Sequence, residues 1–544
     1  MSKSDPPNVV WIVLEDTSPR FGCYGDPVAD TPTIDGLAAA GRRFPNAFCA
    51  APVCSPSRAA LHTGCYPTAI GAQHHRTSQP TGSRPGYEST PPPYVRFLSE
   101  YLRSAGYVTV MAGSTDFCHA TPISAFDICS SANSWDDGRP DWMVEDAHWR
   151  DAPEDRPFFA VFNPTMTHES GMFGDPDEPP ATDPDAVSVP PYFPDTPRVR
   201  NTIARHYDNL ARADERVAEL LAELDAAGLA EDTVIMLFSD HGEGMPRGKR
   251  WLYDSGTAVP MIVRWPGHIE AGTVDRRLVS LVDVAPTVLR LAGHAVPQHM
   301  DGQPFLPGDT PTRSYVFAAR DRHDEFHDTS RAVRTRRFKY VRNYYAGRPY
   351  VLWNDYRNRH PIMAELLAGR ASGTLEGPAA AWAAGQRPPE ELYDLAADPH
   401  EVENLASDAG FADVLDRLRT ALDSWIEQTG DRGLEAEEAM LAHQWPGGEQ
   451  PRTDPPAIIS NSSADRATEP VADRVTIPSP ADVQLYCPTA GAQIVYRIVD
   501  EHDRWQLFDG PISLGPGTHA IRTRAIRYGY TESEEQSATI EVVD

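Results

Sequence analysis

Four mostly apolar runs, each followed by polar residues, constrain the fold of this chain most strongly. The first run, residues 9–14, reads VVWIVL and is followed at once by Glu15 and Asp16. The other three are residues 107–111, 158–162 and 234–238. A continuous apolar run of this length is typical of a strand that is buried on both faces in a parallel sheet. Ligand-binding and catalytic residues usually lie just beyond the carboxyl ends of such strands, so we expect a functional site there.

Helical patterns lie between these runs. Residues 93–105 and 203–224 place apolar side chains at helical spacing, most clearly in the second stretch. Strands that alternate with helices predict an α/β sandwich with a mainly parallel central sheet. Short β-like pieces at 315–318 and 338–341, followed by a helix-like stretch at 411–425, predict a smaller α+β subdomain.

The 544 residues are too many for one ordinary domain. Residues 444–473 are rich in Pro, Ser, Asp and Glu, a composition that indicates a linker. Short alternating segments follow it, which predicts an all-β module. The expected division is a catalytic α/β domain at 8–312, the α+β subdomain at 313–443, a linker at 444–474 and a C-terminal β-sandwich at 475–544.

Bulk properties exclude two classes of partner. The formal net charge of −29 disfavours nucleic acid, because phosphate repels an acidic surface. No apolar run has the length of a membrane span, and residues 1–8 lack the pattern of a signal peptide. The expected location is cytoplasmic, or periplasmic or secreted if the numbering starts after processing. Seven cysteines without a CxxC pair indicate mostly reduced thiols.

One of these thiols, Cys54, opens the string CSPSRAALHTG at residues 54–64. This string resembles the signature of type I sulfatases of the alkaline-phosphatase superfamily, C-x-P-x-R followed by a small-residue helix and Thr-Gly. The resemblance implies that a formylglycine-generating enzyme converts Cys54 to formylglycine. The alternative is a buried structural cysteine before a helix, but so long and ordered a motif rarely occurs by chance.

The chemistry of such a motif has a physical reason. A hydrated aldehyde carries two hydroxyls on one carbon, so one can attack sulfur and the other can lose its proton to expel sulfate. This is covalent catalysis, which divides one difficult step into two. Arg58 lies one helical turn after Cys54 and adds a permanent cation near the attacked oxygens. A helix that starts near Pro56 would add its N-terminal amides to the anion site.

Two polar pairs at strand ends offer ligands for one divalent metal: Glu15 and Asp16, and Asp240 and His241. Carboxylate ligands favour Ca²⁺, while Glu15 and His241 keep Mn²⁺ open. The family usually has two adjacent Asp at the first position, so Glu15 is a departure. The alternative is that these carboxylates only cap strand ends. The metal would act as Lewis acid and template for sulfate.

The resemblance also implies two further catalytic residues. His168 stands where the family carries a histidine close to the leaving-group oxygen, which needs a general acid. Lys249 matches a family lysine that contacts the sulfate. A lone histidine or lysine usually has no catalytic role. The roles expected for His168 and Lys249 therefore depend on their positions relative to Cys54 and Asp240.

A further element of the family departs from its pattern. Many sulfatases carry G-K-x-H after an early strand, where this chain has Gly-Ser-Thr-Asp at 113–116, with Ser114 for the lysine and Asp116 for the histidine. Replacement charge could come from His74, His75 and Arg76, or from Arg320 and His323. The segment around Arg320 resembles bacterial proteins close to heparan N-sulfatase.

These features favour a sulfatase that acts on a sugar sulfate or sulfamate, and on aryl sulfates in assays. A phosphonate monoester or phosphodiester hydrolase of the same superfamily is the alternative, because it shares the motif and the Asp-His pair. A silent carbohydrate-binding protein is the non-enzyme alternative. The C-terminal module is similar to the β-sandwich appended to chitobiases and hexosaminidases, and a homodimer is expected.

Overall fold

The computed structural model describes residues 6–80, 86–132, 140–174, 178–308, 312–462 and 470–544. The described chain falls into two compact units. One contains the described residues of 6–76 and 161–434, and the other those of 77–80, 86–160 and 435–544.

The central sheet of the first unit is built on two neighbouring parallel strands. Strand Asn8–Leu14 pairs in parallel with strand Thr233–Ser239, and Leu14 lies opposite Ser239. Both strands are buried along nearly their whole length, as their continuous apolar sequence predicts. The chain therefore leaves both strands at the same edge of the sheet.

Further strands extend this sheet. Strand Met261–Arg264 pairs antiparallel with Thr233–Ser239 and with Arg42–Arg43. Strand Arg42–Arg43 pairs in parallel with Thr273–Val274. Strand Phe158–Phe162 lies on the other side of the first strand, and its last two residues belong to the first unit. A separate three-stranded sheet contains Ala47–Phe48, Ala258–Val259 and Val279–Ser280.

Helices cover the sheets of the first unit. The longest, Pro197–Ala226, begins with proline at its first position, and Thr196 Oγ1 accepts from the Val199 amide at 3.3 Å. The α-helices are Pro32–Ala40, Cys54–Thr63, Pro67–Ile70, Pro197–Ala226, Asp254–Thr257, Val284–Leu291, Asp355–Asn358, Pro361–Ser372, Gly377–Ala384 and Ala412–Thr429. The 3-10 helices are Gly22–Tyr24, Glu169–Met172, Ala230–Asp232, Leu281–Asp283 and Ala409–Phe411.

An antiparallel sheet with its own helix forms the α+β part of the first unit. Its four strands, in sheet order, are Val316–Arg320, Ser330–Arg334, Phe338–Asn343 and Glu390–Asp394. Helix Ala412–Thr429 packs on it, because Leu418, Leu422 and Trp425 share a buried cluster with residues of the strands. The β-like pieces and the helix-like stretch predicted from the sequence are therefore confirmed.

The second unit combines a short α/β segment with two β-sheets. Helix Leu98–Ser104 precedes strand Val108–Ala112, which pairs in parallel with Ile128–Cys129. The remaining helices are Trp149–Asp151, Glu437–Gln444 and Pro446–Gly448, the first and last of them 3-10. One sheet orders Ala457–Ser462, Ala481–Tyr486 and Ile512–Leu514, and the other orders Arg474–Pro478, Gln536–Val543, Gly517–Ile526, Gln493–Ile498 and Gln506–Leu507.

The C-terminal sheets share a core with the earlier segment of the same unit. Ile123 forms a buried cluster with Val495, Leu507 and Ile526. Arg103, which is almost fully buried, donates to the carbonyl of Trp505 at 2.6 Å. The C-terminal strands thus pack on residues that precede them by several hundred positions.

The fold class predicted from the sequence is confirmed: an α/β chain with a mainly parallel central sheet and separate all-β sheets at its C-terminus. The four-segment domain division stays a prediction. Strand Ala457–Ser462 lies inside the expected linker and pairs with Ala481–Tyr486. Among the described residues, no helix combines the length and the apolar character needed to cross a membrane.

Candidate active site

Helix Cys54–Thr63 presents Cys54 as its first residue. The helix was expected to start near Pro56, but it begins two positions earlier, so the amide of Cys54 itself lies in the first turn. All ten of its residues are buried, which its small Ser and Ala side chains allow. Ser57 Oγ donates to the backbone carbonyl of Asp240 at 2.5 Å, and this bond ties the helix to the end of the neighbouring strand.

Four buried side chains converge at this helix terminus. The ligand atoms of Asp16, Cys54, Asp240 and His241 all lie within 4.8 Å of one another. His241 Nε2 lies 3.0 Å from Asp16 Oδ1 and 3.4 Å from Cys54 Sγ. Asp16 has a φ of 49°, a left-handed conformation that is costly for a residue with a Cβ, and its amide donates to Asp240 Oδ1 at 3.2 Å. The two strand ends therefore meet as the sequence predicts.

The ring of His241 is oriented by a backbone carbonyl. Its Nδ1 lies 3.0 Å from the oxygen of Gly242, which can only accept, so Nδ1 carries a proton and Nε2 faces the acidic cluster. Burial alone would favour the neutral ring, but Asp240 and Asp16 outweigh it and raise the pKa of His241 well above its ordinary value. The carboxylates thus favour positive charge at this position.

Glu15 and Arg58 form an ion pair beside the cluster. Arg58 Nη2 lies 3.0 Å from Glu15 Oε1 and 3.1 Å from Asp240 Oδ2, and all three side chains are nearly inaccessible to solvent. Burial raises the pKa of Glu15 to about 7 against the effect of Arg58, with Asp240 and Asp16 adding to the rise. Glu15 is not one of the four residues whose ligand atoms cluster within 4.8 Å.

Lys249 is held between two carboxylates. Its Nζ lies 2.9 Å from Asp16 Oδ2 and 3.1 Å from Glu169 Oε1. Arg250 makes a bidentate pair with Glu169, at 2.9 and 2.7 Å. Burial opposes the ionised form of Glu169, but Arg250 and Lys249 hold its pKa well below the ordinary value. A Cβ at Gly244 would lie 2.9 Å from Glu169 Cβ and 3.0 Å from Asp16 Oδ2, so the loop needs glycine for its close approach.

His168 lies beside the same carboxylates. One of its ring nitrogens lies within 4.8 Å of carboxylate oxygens of Asp16 and Glu169. The Ser170 amide donates to His168 Nδ1 at 3.4 Å, and Ser170 Oγ lies 2.8 Å from the same atom. A nitrogen that accepts is unprotonated, so the neutral ring carries its proton on Nε2. Burial, and next to it Lys249, lowers the pKa of His168 to about 4.

His75 brings a second imidazole close to Cys54. A ring nitrogen of His75 lies within 4.8 Å of Cys54 Sγ. His75 Nδ1 lies 3.1 Å from Asp324 Oδ1, and Asn354 Nδ2 donates to the other oxygen of Asp324 at 3.0 Å. Burial opposes the ionised form of Asp324, but His75 outweighs it and holds its pKa far below the ordinary value.

The other predicted site residues lie in different environments. His74 accepts from the backbone amide of Arg322 at 3.3 Å, and the guanidinium of Arg76 lies 5.3 Å from the ring centre of Tyr356. Arg320 is buried, pairs with Asp328 and stacks 3.9 Å from the ring of Trp251.

His323, Ser114 and Asp116 complete the predicted set. His323 is buried beside His75, with ring centres 6.2 Å apart. Ser114 and Asp116 follow strand Val108–Ala112 in the second unit; Ser114 is buried and Asp116 half-buried. The roles expected for these three residues stay predictions.

The sequence pattern did not indicate Glu169, Arg250, Asp324 or the segment that contains Tyr356 and Arg357. Glu169 and Arg250 adjoin His168 and Lys249 in the chain, so adjacency was the available signal. Asp324 lies in the polar stretch 319–325. In this stretch only Arg320 and His323 were predicted to contact the substrate, as possible replacements for the family lysine. Nothing in the pattern around Arg357 marks it out.

The donor set fits a hard divalent cation. Asp16 and Asp240 supply carboxylate oxygens, and His241 supplies a ring nitrogen that already faces them. Glu15 adds a further carboxylate whose raised pKa a bound cation would lower. Oxygen ligands of this kind suit Ca²⁺, Mg²⁺ or Mn²⁺.

Comparison with known proteins agrees with this geometry. Residues 7–294 match the family model described as Sulfatase, and residues 242–365 match that described as N-sulphoglucosamine sulphohydrolase, C-terminal. An ulvan-active sulfatase of Formosa agariphila is 36% identical, over 97% of this chain and 90% of the relative. The human N-sulphoglucosamine sulphohydrolase is 30% identical, over 81% of this chain and 94% of the relative.

Solved structures show the same fold. A protein solved in complex with its substrate D-glucosamine-2-N,6-O-disulfate is 20% identical, with a TM-score of 0.56, over 80% of this chain and 100% of the other. The phosphonate monoester hydrolase of Agrobacterium radiobacter is 20% identical, with a TM-score of 0.54, over 79% and 98% of the two chains. At this level of identity the similarity establishes the fold alone.

Proposed function

The chain belongs to the sulfatase family, whose members hydrolyse sulfuric esters, and on that premise we propose that it removes sulfate from sulfated sugars through a formylglycine at position 54. Family membership implies a divalent metal and this modification. The observation that carries the proposal is the position of Cys54, at the start of a buried helix and within 4.8 Å of ligand atoms of Asp16, Asp240 and His241.

The unmodified thiol is poorly suited to the reaction. Burial raises the pKa of Cys54, so the thiol would be almost fully protonated at neutral pH, and the thiolate is the nucleophilic form. Formylglycine in hydrated form supplies instead two hydroxyls on one carbon, one for attack on sulfur and one whose proton is lost when sulfate leaves. The first-turn amides of helix Cys54–Thr63 favour negative charge beside that carbon.

We propose Asp16, Asp240, His241 and Glu15 as the metal ligands, with Ca²⁺ as the metal and Mn²⁺ as the second choice. The first three ligand positions are supported by the cluster at the strand ends. Glu15 is supported by the charges of Asp240 and Asp16, which lie near enough to raise its pKa. When bound, the cation would supply Lewis-acid polarisation of a sulfate oxygen.

Two cations are placed to bind and polarise the sulfate group. Lys249 Nζ lies 2.9 Å from Asp16 Oδ2, and Arg58 Nη2 lies 3.1 Å from Asp240 Oδ2. Both side chains are about 99% inaccessible to solvent, so their charge acts on the substrate with little screening. Charge that develops on the sulfate oxygens during bond cleavage would be stabilised by both.

His168 is proposed to assist the leaving group. Its neutral ring carries the proton on Nε2, the atom that can donate to the bridging oxygen. Because the pKa of His168 is about 4, the ring is neutral in the free protein near pH 7. It would therefore assist as a hydrogen-bond donor that passes its proton as negative charge develops on the oxygen.

His75 is proposed to accept the proton that is lost when sulfate leaves. Its distance to Cys54 Sγ, within 4.8 Å, and its pairing with Asp324 support the role. Asp324 orients the ring and stabilises its protonated form, as a carboxylate behind a catalytic histidine does.

The proposed substrate is a sulfate ester or sulfamate of a sugar. Relatives named as an ulvan-active sulfatase and as an N-sulphoglucosamine sulphohydrolase support this class. The acidic composition offers no long-range attraction to a polyanion, so recognition must be local. The expected formylglycine-generating partner, the homodimer and the compartment stay predictions.

A phosphonate monoester or phosphodiester hydrolase is the second candidate, favoured by Ser114 in place of the family lysine. Parallel kinetics on 4-nitrophenyl sulfate and bis(4-nitrophenyl) phosphate separate the two. We expect kcat/KM to be at least tenfold higher for the sulfate. A higher value for the phosphodiester would contradict the proposal.

A further inference from the structure

The segment 354–360 lies against the leaving-group side of the proposed active site. The ring of Tyr356 lies 6.3 Å from the ring of His168 and 5.3 Å from the guanidinium of Arg76. Asn354 donates to Asp324, the carboxylate that holds His75. A sugar whose sulfate occupied the centre would therefore extend toward this segment.

Arg357, the next residue in this segment, is a buried cation with unused donors. Its side chain is only 2% exposed, and Nη2 donates to the carbonyl of Leu352 and to Asn358 Oδ1. Nε and Nη1 have no hydrogen-bond partner among the residues that the structure describes. Across the same residues, no carboxylate lies within ion-pair distance of Arg357. A buried charge in this situation is unfavourable unless something else compensates it.

Its neighbours increase the positive charge. Burial, and then Arg250 and Arg320, lowers the pKa of Arg357 to about 9, against the opposite effects of Glu169 and Glu325. Arg250 shares its carboxylate partner Glu169 with Lys249. Arg320 shares its carboxylate partner Asp328 with another arginine, Arg387.

Arg320 also has unused donors. Its Nε and Nη2 lack a hydrogen-bond partner within the described part of the chain. These two nitrogens lie on one edge of the guanidinium, the arrangement that binds both oxygens of a carboxylate or sulfate. The guanidinium carbon lies 3.9 Å from the ring centre of Trp251, which restricts the position of the group.

We propose that Arg357 and Arg320 form a second anion site that binds an acidic group carried by the sugar in addition to the sulfate that is removed. This inference rests on the proposed function and narrows its substrate class to sugars with two negative groups. The acidic group is a carboxylate or a second sulfate, because both present oxygens that buried guanidinium donors bind well. A neutral sugar would not supply an anionic acceptor for the donors of Arg357 and Arg320 that lack a partner among the described residues.

The test compares three monosaccharides with the same scissile sulfate: one with a carboxylate at C6, one with a second sulfate at C6 and one with a neutral hydroxymethyl group. With the wild-type enzyme we expect kcat/KM to be at least tenfold higher for one or both acidic sugars than for the neutral one. The two acidic arms show which anion the site prefers. Equal values for all three, or preference for the neutral sugar, would overturn the site.

Arg357→Met should reduce the preference for the acidic sugar at least tenfold, and Arg357→Lys should reduce it less, because lysine keeps the charge but loses the planar donor set. Arg370→Met is the matched control: Arg370 is an exposed arginine near the end of helix Pro361–Ser372 and donates to the Ala383 carbonyl at 3.2 Å. The control should keep the wild-type preference. An Arg357→Met protein that folds and retains the wild-type preference for the acidic sugar would contradict the proposal.

Binding to the wild-type protein separates this inference from the proposed function. Calorimetry should show that a sulfate-free uronic acid binds at least tenfold more tightly than the matching neutral hexose. If the uronic acid binds more tightly but no sulfate is hydrolysed by protein with fully converted Cys54, the proposed function is rejected and the anion site is retained. Sulfate hydrolysis without preference in kinetics or binding would reject the anion site alone. The binding measurement also holds if the Arg357 variants fail to fold.

Discussion

At the scale of single residues, the pair of His75 and Asp324 is the feature that most sharply distinguishes a catalytic from a structural explanation. We expect His75→Ala to reduce kcat on 4-nitrophenyl sulfate by more than tenfold, about 1.4 kcal/mol of transition-state stabilisation, because the group that accepts the departing proton is lost. The measurement is steady-state kinetics at matched Cys54 conversion.

The Asp324→Asn variant serves as the companion to His75→Ala. Asparagine keeps hydrogen-bonding capacity toward Asn354 and His75 but removes the charge that stabilises the protonated ring, so kcat should fall while KM stays within about threefold. Unchanged kcat in both variants would mean that His75 is only a packing residue.

Metal dependence is a second prediction at this scale. Chelation should abolish turnover, and Ca²⁺ should restore it. Asp240→Asn should bind the metal at least tenfold more weakly, because one carboxylate of the buried cluster becomes neutral. Metal content by elemental analysis, compared with activity, checks this. Full activity in protein without a divalent metal would contradict it.

The residues of the centre were predictable where they adjoin a motif or a strand end. Cys54, Arg58, Asp16, Asp240 and His241 follow directly from the motif and the apolar runs. Asp324 was not predictable in this way, because its proposed role depends on His75. The two residues are 249 positions apart and are brought together only by the tertiary fold. Arg357 was not predictable either, because the sequence alone does not show that this side chain is buried.

At the scale of elements, the helices and strands agree with the hydrophobic pattern. The run 158–162 is reproduced without change as strand Phe158–Phe162, and the pattern at 203–224 lies inside the longer helix Pro197–Ala226. The helix of 93–105 is shorter in the structure, Leu98–Ser104. Three prolines at 91–93 and a turn precede it, and proline favours extended backbone before it.

The C-terminal sheets give an element-scale prediction. Removal of residues 475–544 should make the chain aggregate or unfold at a lower temperature, because it uncovers Ile123 and leaves buried Arg103 without the Trp505 carbonyl. Soluble yield and thermal unfolding of the truncated chain measure this. A truncated chain as stable as the full one would show that the segment is an independent appendage.

The linker composition alone pointed to such an appendage. It could not show that Arg527 donates to the carbonyl of Pro91, or that Tyr528 binds the Phe97 amide at 3.1 Å. Both contacts join positions more than 400 residues apart. Composition can indicate a boundary between segments of the chain. It does not show which residues each face of a strand packs against, because that depends on the tertiary structure of the whole unit.

At the scale of the whole molecule, buried histidines with lowered pKa values contribute to the loss of stability in acid. His206 lies in helix Pro197–Ala226, fully buried, and neither ring nitrogen has a hydrogen-bond partner among described residues. Burial, and next to it Arg20, lowers its pKa to about 4, against about 6.5 in an unfolded chain. Between these values the unfolded chain binds a proton that the native protein does not, so stability falls as pH decreases from about 6.5 to about 4.

We therefore expect His206→Leu to flatten this dependence. Its thermal midpoint should fall less between pH 7 and pH 5 than that of the wild type, because one histidine no longer titrates on unfolding. Exposed His268→Gln is the control and should follow the wild-type curve. A His206→Leu curve parallel to that of the wild type would contradict the account of this residue.

The modification of Cys54 is the central claim, and peptide mass spectrometry across residue 54, combined with activity, tests it most directly. Preparations made with increasing amounts of a formylglycine-generating enzyme should contain increasing fractions of formylglycine at position 54. Turnover of 4-nitrophenyl sulfate should rise in proportion to that fraction and extrapolate to zero without it. Full turnover in protein whose residue 54 is entirely unmodified cysteine would contradict the account.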